Sequence, residues 1–167
     1  MLLRESGHRT GEDHDYVIPD SYESPPTAIS LPVEFFTNGW IHLLTDSEIR
    51  MYLTLKHLAS RYPREHSLRG IYCIDRDREW LYGVSRDVYE AHLTLARFGL
   101  IELVQNDSRH KDGKIVNYKE FLKKGAVPLP PHRFQILPDN SFYRPAAEKI
   151  KRALLNYPPS VKQMTRN

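Results

Sequence analysis

The stretch Asp75-Arg-Asp-Arg-Glu-Trp-Leu-Tyr-Gly-Val-Ser-Arg-Asp-Val-Tyr-Glu-Ala-His-Leu-Thr-Leu-Ala-Arg-Phe-Gly-Leu-Ile-Glu-Leu103 decides the fold. It reads as a short helix, a glycine turn, a longer amphipathic helix, a glycine stop and a strand. Asp75 or Asp77 caps the short helix, which is expected to carry Trp80 and Leu81 inward. Gly83 falls where a helix C-terminus needs positive φ. Ser85 then offers its side-chain oxygen as the N-cap of the longer helix. Val84, Val88, Ala91, Leu95 and Phe98 follow helical spacing and are expected to face a core. Gly99 ends that helix, and Leu100-Ile-Glu-Leu-Val104 follows as a strand.

Upstream, Leu44-Thr-Asp-Ser-Glu-Ile49 is a strong helix start. Thr45 caps, Glu48 three residues on completes a capping box, and Leu44 and Ile49 flank it as a hydrophobic staple. This helix is expected to run to about Ser60, with apolar residues on more than one stripe, so that it is buried on more than one side or forms an oligomer contact. Arg61 to Gly70 reads as a loop, and Ile71-Tyr-Cys-Ile74 as a small strand. Leu31-Pro-Val-Glu-Phe-Phe36 suits a short extended or packing segment, with Phe35, Phe36 and Trp40 plugging the first helix against the core. Downstream, Asp112-Gly113 is a turn signal, and Ile115-Val-Asn-Tyr118 is expected to return as the partner of the strand ending at Val104. Lys119 to Pro131 is a proline-punctuated connector. Phe134 to Leu137 reads as another short strand, and Pro145 suits the first position of a last helix ending about Leu155.

Composition narrows the classes. The chain has 167 residues, 40% of them hydrophobic, enough for one domain with tails. No apolar run approaches the roughly 18 residues of a membrane span, and the first residues have too short an apolar core for a secretory signal. The single cysteine, Cys73, rules out an internal disulfide framework, reads as a small buried apolar residue and fits a reducing cytoplasm, here expected to be nucleoid-associated. The net charge of +3 hides an asymmetry: residues 1–30 carry −4, residues 31–104 carry −1, and residues 105–167 carry +8. A polyanionic partner is drawn to the last third.

Three motifs occur in order. Leu44-Thr-Asp-Ser-Glu-Ile matches a recurrent first-helix opening. Gly83-Val-Ser-Arg-Asp-Val-Tyr matches a Gly-(Ile/Val)-Ser-x-x-(Thr/Val) turn and third-helix start. Leu95-Ala-Arg-Phe-Gly-Leu-Ile-Glu-Leu matches a Leu-x-x-x-Gly-Leu-Ile lead into a hairpin. Residues 44–118 thereby resemble the winged helix-turn-helix superfamily of bacterial DNA-binding regulators. The resemblance implies an α+β, mainly α fold: a winged helix-turn-helix with a two-stranded wing and an additional C-terminal helix. It also implies sequence-specific binding of double-stranded DNA, by a transcriptional regulator or a plasmid or mobile-element replication or partition protein. The short second helix, with Trp80 where such helices commonly carry a small or aliphatic residue, departs from the pattern. Residues 1–28 read as a disordered acidic arm or linker, 29–122 as the winged-helix domain, 123–157 as an extension with a short strand and helix, and 158–167 as a disordered tail.

The third helix has a polar side opposite its core stripe, carrying Arg86, Asp87, Glu90, Thr94 and Arg97, with Tyr89, His92 and Leu93 at its boundary. Base contact is expected from Arg86, Asp87, Tyr89, Glu90 and Thr94, because Arg matches guanine O6 and N7 and a carboxylate accepts from cytosine N4. Backbone contact is expected from Ser85, Arg97, Arg109, His110, Lys111 and Lys114, the last four clustering at the wing tip. Against this stands the plainer reading that these are the solvated side of a helix, Arg86 and Glu90 an ordinary i,i+4 ion pair, and the tip a mobile soluble hairpin. There is no Cys-x-x-Cys, glycine-rich phosphate loop or Gly-x-Ser-x-Gly, so no catalytic, cofactor or metal site is expected. The alternative is a winged helix used for protein docking, through the N-terminal linker or the C-terminal helix. A homodimer through the first or last helix would suit a pseudo-palindromic site.

Overall fold

The structure, a computed structural model, describes residues 28–73, 75–105, 109–110, 114–123 and 130–156. The acidic arm, Lys111 with the Asp112-Gly113 turn, and the C-terminal tail lie outside the described residues. Two short helices, α1 (Glu34–Thr37) and α2 (Trp40–Leu43), precede the long α3 (Asp46–Arg61) and the adjoining α4 (Pro63–Arg69). Then come α5 (Asp75–Tyr82), α6 (Arg86–Glu90), α7 (His92–Arg97) and strand β1 (Ile101–Val104). Helix α8 (Tyr118–Lys123), strand β2 (Arg133–Ile136), a 3-10 turn at Asp139–Phe142 and helix α9 (Ala146–Leu155) follow among the described residues. The fold is mainly helical with a small antiparallel sheet.

Local chemistry sets the helix ends as expected. The Thr45 hydroxyl accepts from the Glu48 N–H at 3.3 Å, and the Glu48 carboxylate accepts from the Thr45 N–H at 2.7 Å. These bonds satisfy two of the donors that a helix start leaves orphaned. Ser85 Oγ accepts from Val88 N–H at 3.4 Å. Gly83 and Gly99 take φ of +58° and +66°, as their stop positions require.

The sheet corrects the sequence-based pairing. β1 pairs antiparallel with Arg133–Ile136, in register Ile101 with Ile136 and Leu103 with Phe134, and not with residues 115–118. Among the described residues the expected hairpin is represented by one bridge between Arg109 and Ile115, with the His110 N–H donating to the Lys114 carbonyl. The reason is burial. Phe134 is fully buried, whereas Asn117 turns to φ +53°, which ends any strand after Val116. Phe134 also exchanges both backbone hydrogen bonds with Ile71, at 2.8 and 2.7 Å. Of the run expected as a strand at 71–74, Ile71 is the residue that touches the sheet among the described residues. Across the sheet the order is Ile71, β2, β1, and the segment expected as an extension supplies the central row.

Other departures have equally local causes. The presumed loop at 61–70 contains α4, because Pro63 suits a helix N1 position and a receptor for the helix exists. Ile136 N–H donates to His66 Nε2 at 2.8 Å, and Gln135 donates to the His66 carbonyl at 3.2 Å. Residues 34–43, expected in part as extended, form α1 and α2 around Gly39 at φ +77°. The third helix is not continuous: Ala91 N–H reaches back only three residues to the Val88 carbonyl, and this hitch separates α6 from α7. Trp80 and Leu81, expected inward, are 85% and 57% exposed. In so short a helix Arg78 and Tyr82, four apart, take the half-buried side, and position 80 stands about 200° round from Arg78.

The core centres on Phe142. Its ring meets Phe35, Trp40 and Tyr52 edge-on at 5.5, 5.4 and 5.6 Å. Met51, Leu55, Val84, Leu95, Leu100 and Ile101 are buried around that cluster. Burial raises the Tyr52 hydroxyl above its ordinary range, with the Asp139 charge adding to the effect. Phe36, expected to plug the core, is half exposed. The C-terminal part clasps the start of the domain through polar bonds. Asn38 Nδ2 donates to the Phe142 carbonyl, Trp40 Nε1 to the Arg144 carbonyl, and Ala146 N–H to the Asn38 carbonyl. Lys149 lies over the Trp40 ring and donates to the Gly99 and Ser141 carbonyls at 3.3 and 3.1 Å. The helix carrying the polar face therefore ends against α9.

Candidate nucleic-acid interface

Helices α6 and α7 pack on α3 through Val84, Ala91 and Leu95, which are buried, and this fixes which side remains outward. Arg86, Asp87, Glu90 and Arg97 stand exposed on that side, with Leu93 at 52% exposure among them. Thr94 is half-buried, so a base contact there needs a close approach. Arg86 Nε lies 3.4 Å from Glu90 Oε1, the i,i+4 pair expected of a solvated helix side. Such an exposed pair contributes only about 0.3–0.5 kcal/mol, so a stronger acceptor displaces Glu90 at small cost. Ser85 is exposed and spends its hydroxyl on the Val88 cap.

Tyr89 departs from its expected role as a base reader. It is half-buried and belongs to a ring cluster with His92, His132 and Phe134. The Arg78 guanidinium covers it at 5.0 Å, and Arg78 also donates to the Ser85 carbonyl at 3.3 Å. The ring centres of His92 and His132 are 4.9 Å apart. Burial lowers the His92 pKa, with its hydrogen-bonded Tyr89 carbonyl and Glu90 pulling back and Arg109 adding to the lowering. Burial, then the Arg109 charge, then His92 push His132 down to about 4. Both imidazoles are therefore neutral at neutral pH, and their tilted contact joins α7 to His132, the residue before β2.

Arg109 also departs from its expected place at a free tip. It is half-buried, its Nε donates to the Pro130 carbonyl at 2.6 Å, and burial lowers its pKa. Its charge acts on Tyr89, His92 and His132, so the base of the β1–β2 excursion lies against the α6–α7 junction. His110 and Lys114 are exposed beyond it. Lys111 lies outside the described residues. The excursion also carries α8, which places Tyr118, Lys119, Leu122 and Lys123 on the surface. This helix was read from sequence as connector. Its signal was Asn117, which tolerates positive φ and whose carbonyl accepts from the Glu120 and Phe121 N–H groups.

The His92–His132 ring contact was not foreseen either, because the two residues are 40 apart and meet only where the chain enters β2. Among the described residues no three His, Cys, Asp or Glu side chains gather as a metal site, and no helix is long and apolar enough to cross a membrane. Comparison with protein-family models, curated proteins and solved structures gives no significant match.

Proposed function

We propose that the chain is a winged-helix protein that binds double-stranded DNA with sequence preference. Helices α6 and α7 enter the major groove, and the chain between β1 and β2 lies on the sugar-phosphate backbone. One observation carries this reading: an unburied polar helix side with Arg86 and Arg97 stands beside a basic excursion rooted at Arg109. The element order supports it, since α3, Ile71, α5, α6–α7, β1 and β2 follow one another as a winged helix demands, with Ile71 and β1 flanking β2. The +8 charge of residues 105–167 supplies the attraction. In this assignment β2 closes the wing, and α8 is an insertion within it. The biological role is that of a transcriptional regulator or a replication or partition protein of a plasmid or mobile element.

Fluorescence anisotropy with labelled duplexes tests the assignment of roles. Arg86→Ala is expected to narrow the affinity gap between preferred and unrelated duplexes. Lys114→Ala is expected to weaken all duplexes about equally and reduce the salt slope by about one. Equal, unchanged binding by both variants would refute these roles.

A second reading, protein docking without DNA, is favoured by one specific observation: Trp80 at 85% exposure, next to Leu81. If it holds, Trp80→Ala abolishes partner capture while charge reversal at Lys114 leaves it intact.

A further inference from the structure

A cavity of about 650 Å³ opens between α3, α4, α5 and the sheet, lined by no residue of α6 or α7. Its floor is apolar, made by Leu58, Ile71 and Cys73, all buried. Arg61, Arg69 and Arg133 stand around it against a single acid, Glu65, leaving two net positive charges over an apolar base. Among the described residues, no carboxylate lies within ion-pair distance of any of the three arginines. Arg133 is held in place without a carboxylate. Its Nη1 donates to the Gly70 carbonyl at 3.0 Å, and its guanidinium stacks on the Tyr72 ring at 4.8 Å. One of its five N–H groups is thus engaged, and the planar fork is fixed in orientation.

We propose that this cavity binds a small organic anion: a planar aromatic body carrying a carboxylate or a phosphate. The body covers the apolar floor, and the oxyanion takes charge-assisted bonds from Arg133 and its neighbours. Guanidinium forks match both oxyanions, and burial of an apolar ring beside them supplies the rest of the affinity. The volume falls in the range of sites that enclose small ligands. Leu81 and Tyr82 of α5 form part of the wall, so an occupant bridges α3–α4 to the helix that leads into α6. The inference does not rest on DNA binding and stands if that reading fails.

Isothermal titration calorimetry of the full chain tests it, with phenyl phosphate and benzoate as probes and phenol as the neutral control. Arg61 and Arg69 are exposed and make no bond that the fold needs, so Arg61→Ala and Arg69→Ala leave the folded state available. The expected result is saturable 1:1 binding of at least one anion, no binding of phenol, and a loss of about tenfold or more in the double variant. The stronger of the two anions identifies the oxyanion. Arg152→Ala, on α9, is expected to bind as the parent chain does. Amide shifts on Tyr72 and Tyr82 on addition of the anion place it in the cavity. Absence of saturable heat with both anions at about 10 mM, several-fold above the weakest affinity a charge-assisted site should give, overturns the proposal. So does binding unaffected by the double variant, or equal binding of phenol.

Discussion

Gly70→Ala separates the described sheet from any looser arrangement. Gly70 sits at φ +73° and ψ +153°, a region that side chains other than glycine's scarcely enter, and holding alanine there costs about 1–3 kcal/mol. The added Cβ also meets the Phe134 carbonyl oxygen and Val104 Cγ2, each at 2.9 Å. Valine can turn aside, but the carbonyl cannot, because it accepts from Ile71 N–H at 2.8 Å. Moving it weakens that bond, at a further cost of about 1 kcal/mol. The entropy removed from the unfolded chain returns about 0.4–1 kcal/mol. The expected net loss is about 1–3.5 kcal/mol. Gly39→Ala is the matched control: φ is +77°, but nothing lies within 4 Å of its Cβ. Its cost is the left-handed conformation alone, about 1 kcal/mol before the same entropy offset. Urea denaturation followed by far-ultraviolet circular dichroism reads both, and the two variants should share one m-value. A Gly70→Ala loss within about 0.5 kcal/mol of the Gly39→Ala loss would refute the close approach of Gly70 to β2.

Phe142→Ala removes the ring on which Phe35, Trp40 and Tyr52 converge and is expected to cost about 3–5 kcal/mol by thermal or urea unfolding; a loss below about 1 kcal/mol would contradict its central place. Thr45→Ala breaks the capping box and should cost about 1 kcal/mol, while Thr45→Ser should recover most of it. His132 titrates near 6.5 when unfolded but is pushed down to about 4 when folded, so the unfolded chain binds the proton first. Its contribution is present in full above about pH 6.5 and is lost as pH falls toward 4, by about 1–2 kcal/mol once solvent screening of this half-exposed ring is allowed for. His132→Phe should flatten the stability profile in that window, and an unchanged slope would refute the buried neutral imidazole.

Features set by neighbours in the chain were readable from sequence. The Thr45–Glu48 box, the Ser85 cap and the glycine stops at 83 and 99 depend on one turn of backbone, and each lies where its residues point. The buried stripe at Val84, Ala91 and Leu95 follows from period alone. What failed depended on distant partners. Ile115-Val-Asn-Tyr118 and Phe134-Gln-Ile-Leu137 carry similar local strand propensity, and only tertiary burial of Phe134 between Ile71 and Leu103 decides which pairs with β1. Trp80 looked interior by hydrophobicity, yet among the described side chains of this short helix the half-buried ones are Arg78 and Tyr82. For the candidate interface, the exposed Arg86, Asp87, Glu90 and Arg97 were legible as the side opposite the stripe. The packing of Tyr89 and Arg109 was not, because His132, Phe134 and the Pro130 carbonyl, which help hold them, lie far along the chain.

Retention of a random-sequence duplex pool on the immobilised chain, followed as salt is raised, tests the central claim most directly. The predicted result is retention at about 50 mM salt that falls on a log–log line with a slope near −0.9 per phosphate neutralised, and enrichment of a shared sequence after repeated selection. No duplex retained at that salt, or retention indifferent to salt, would contradict DNA binding by this fold.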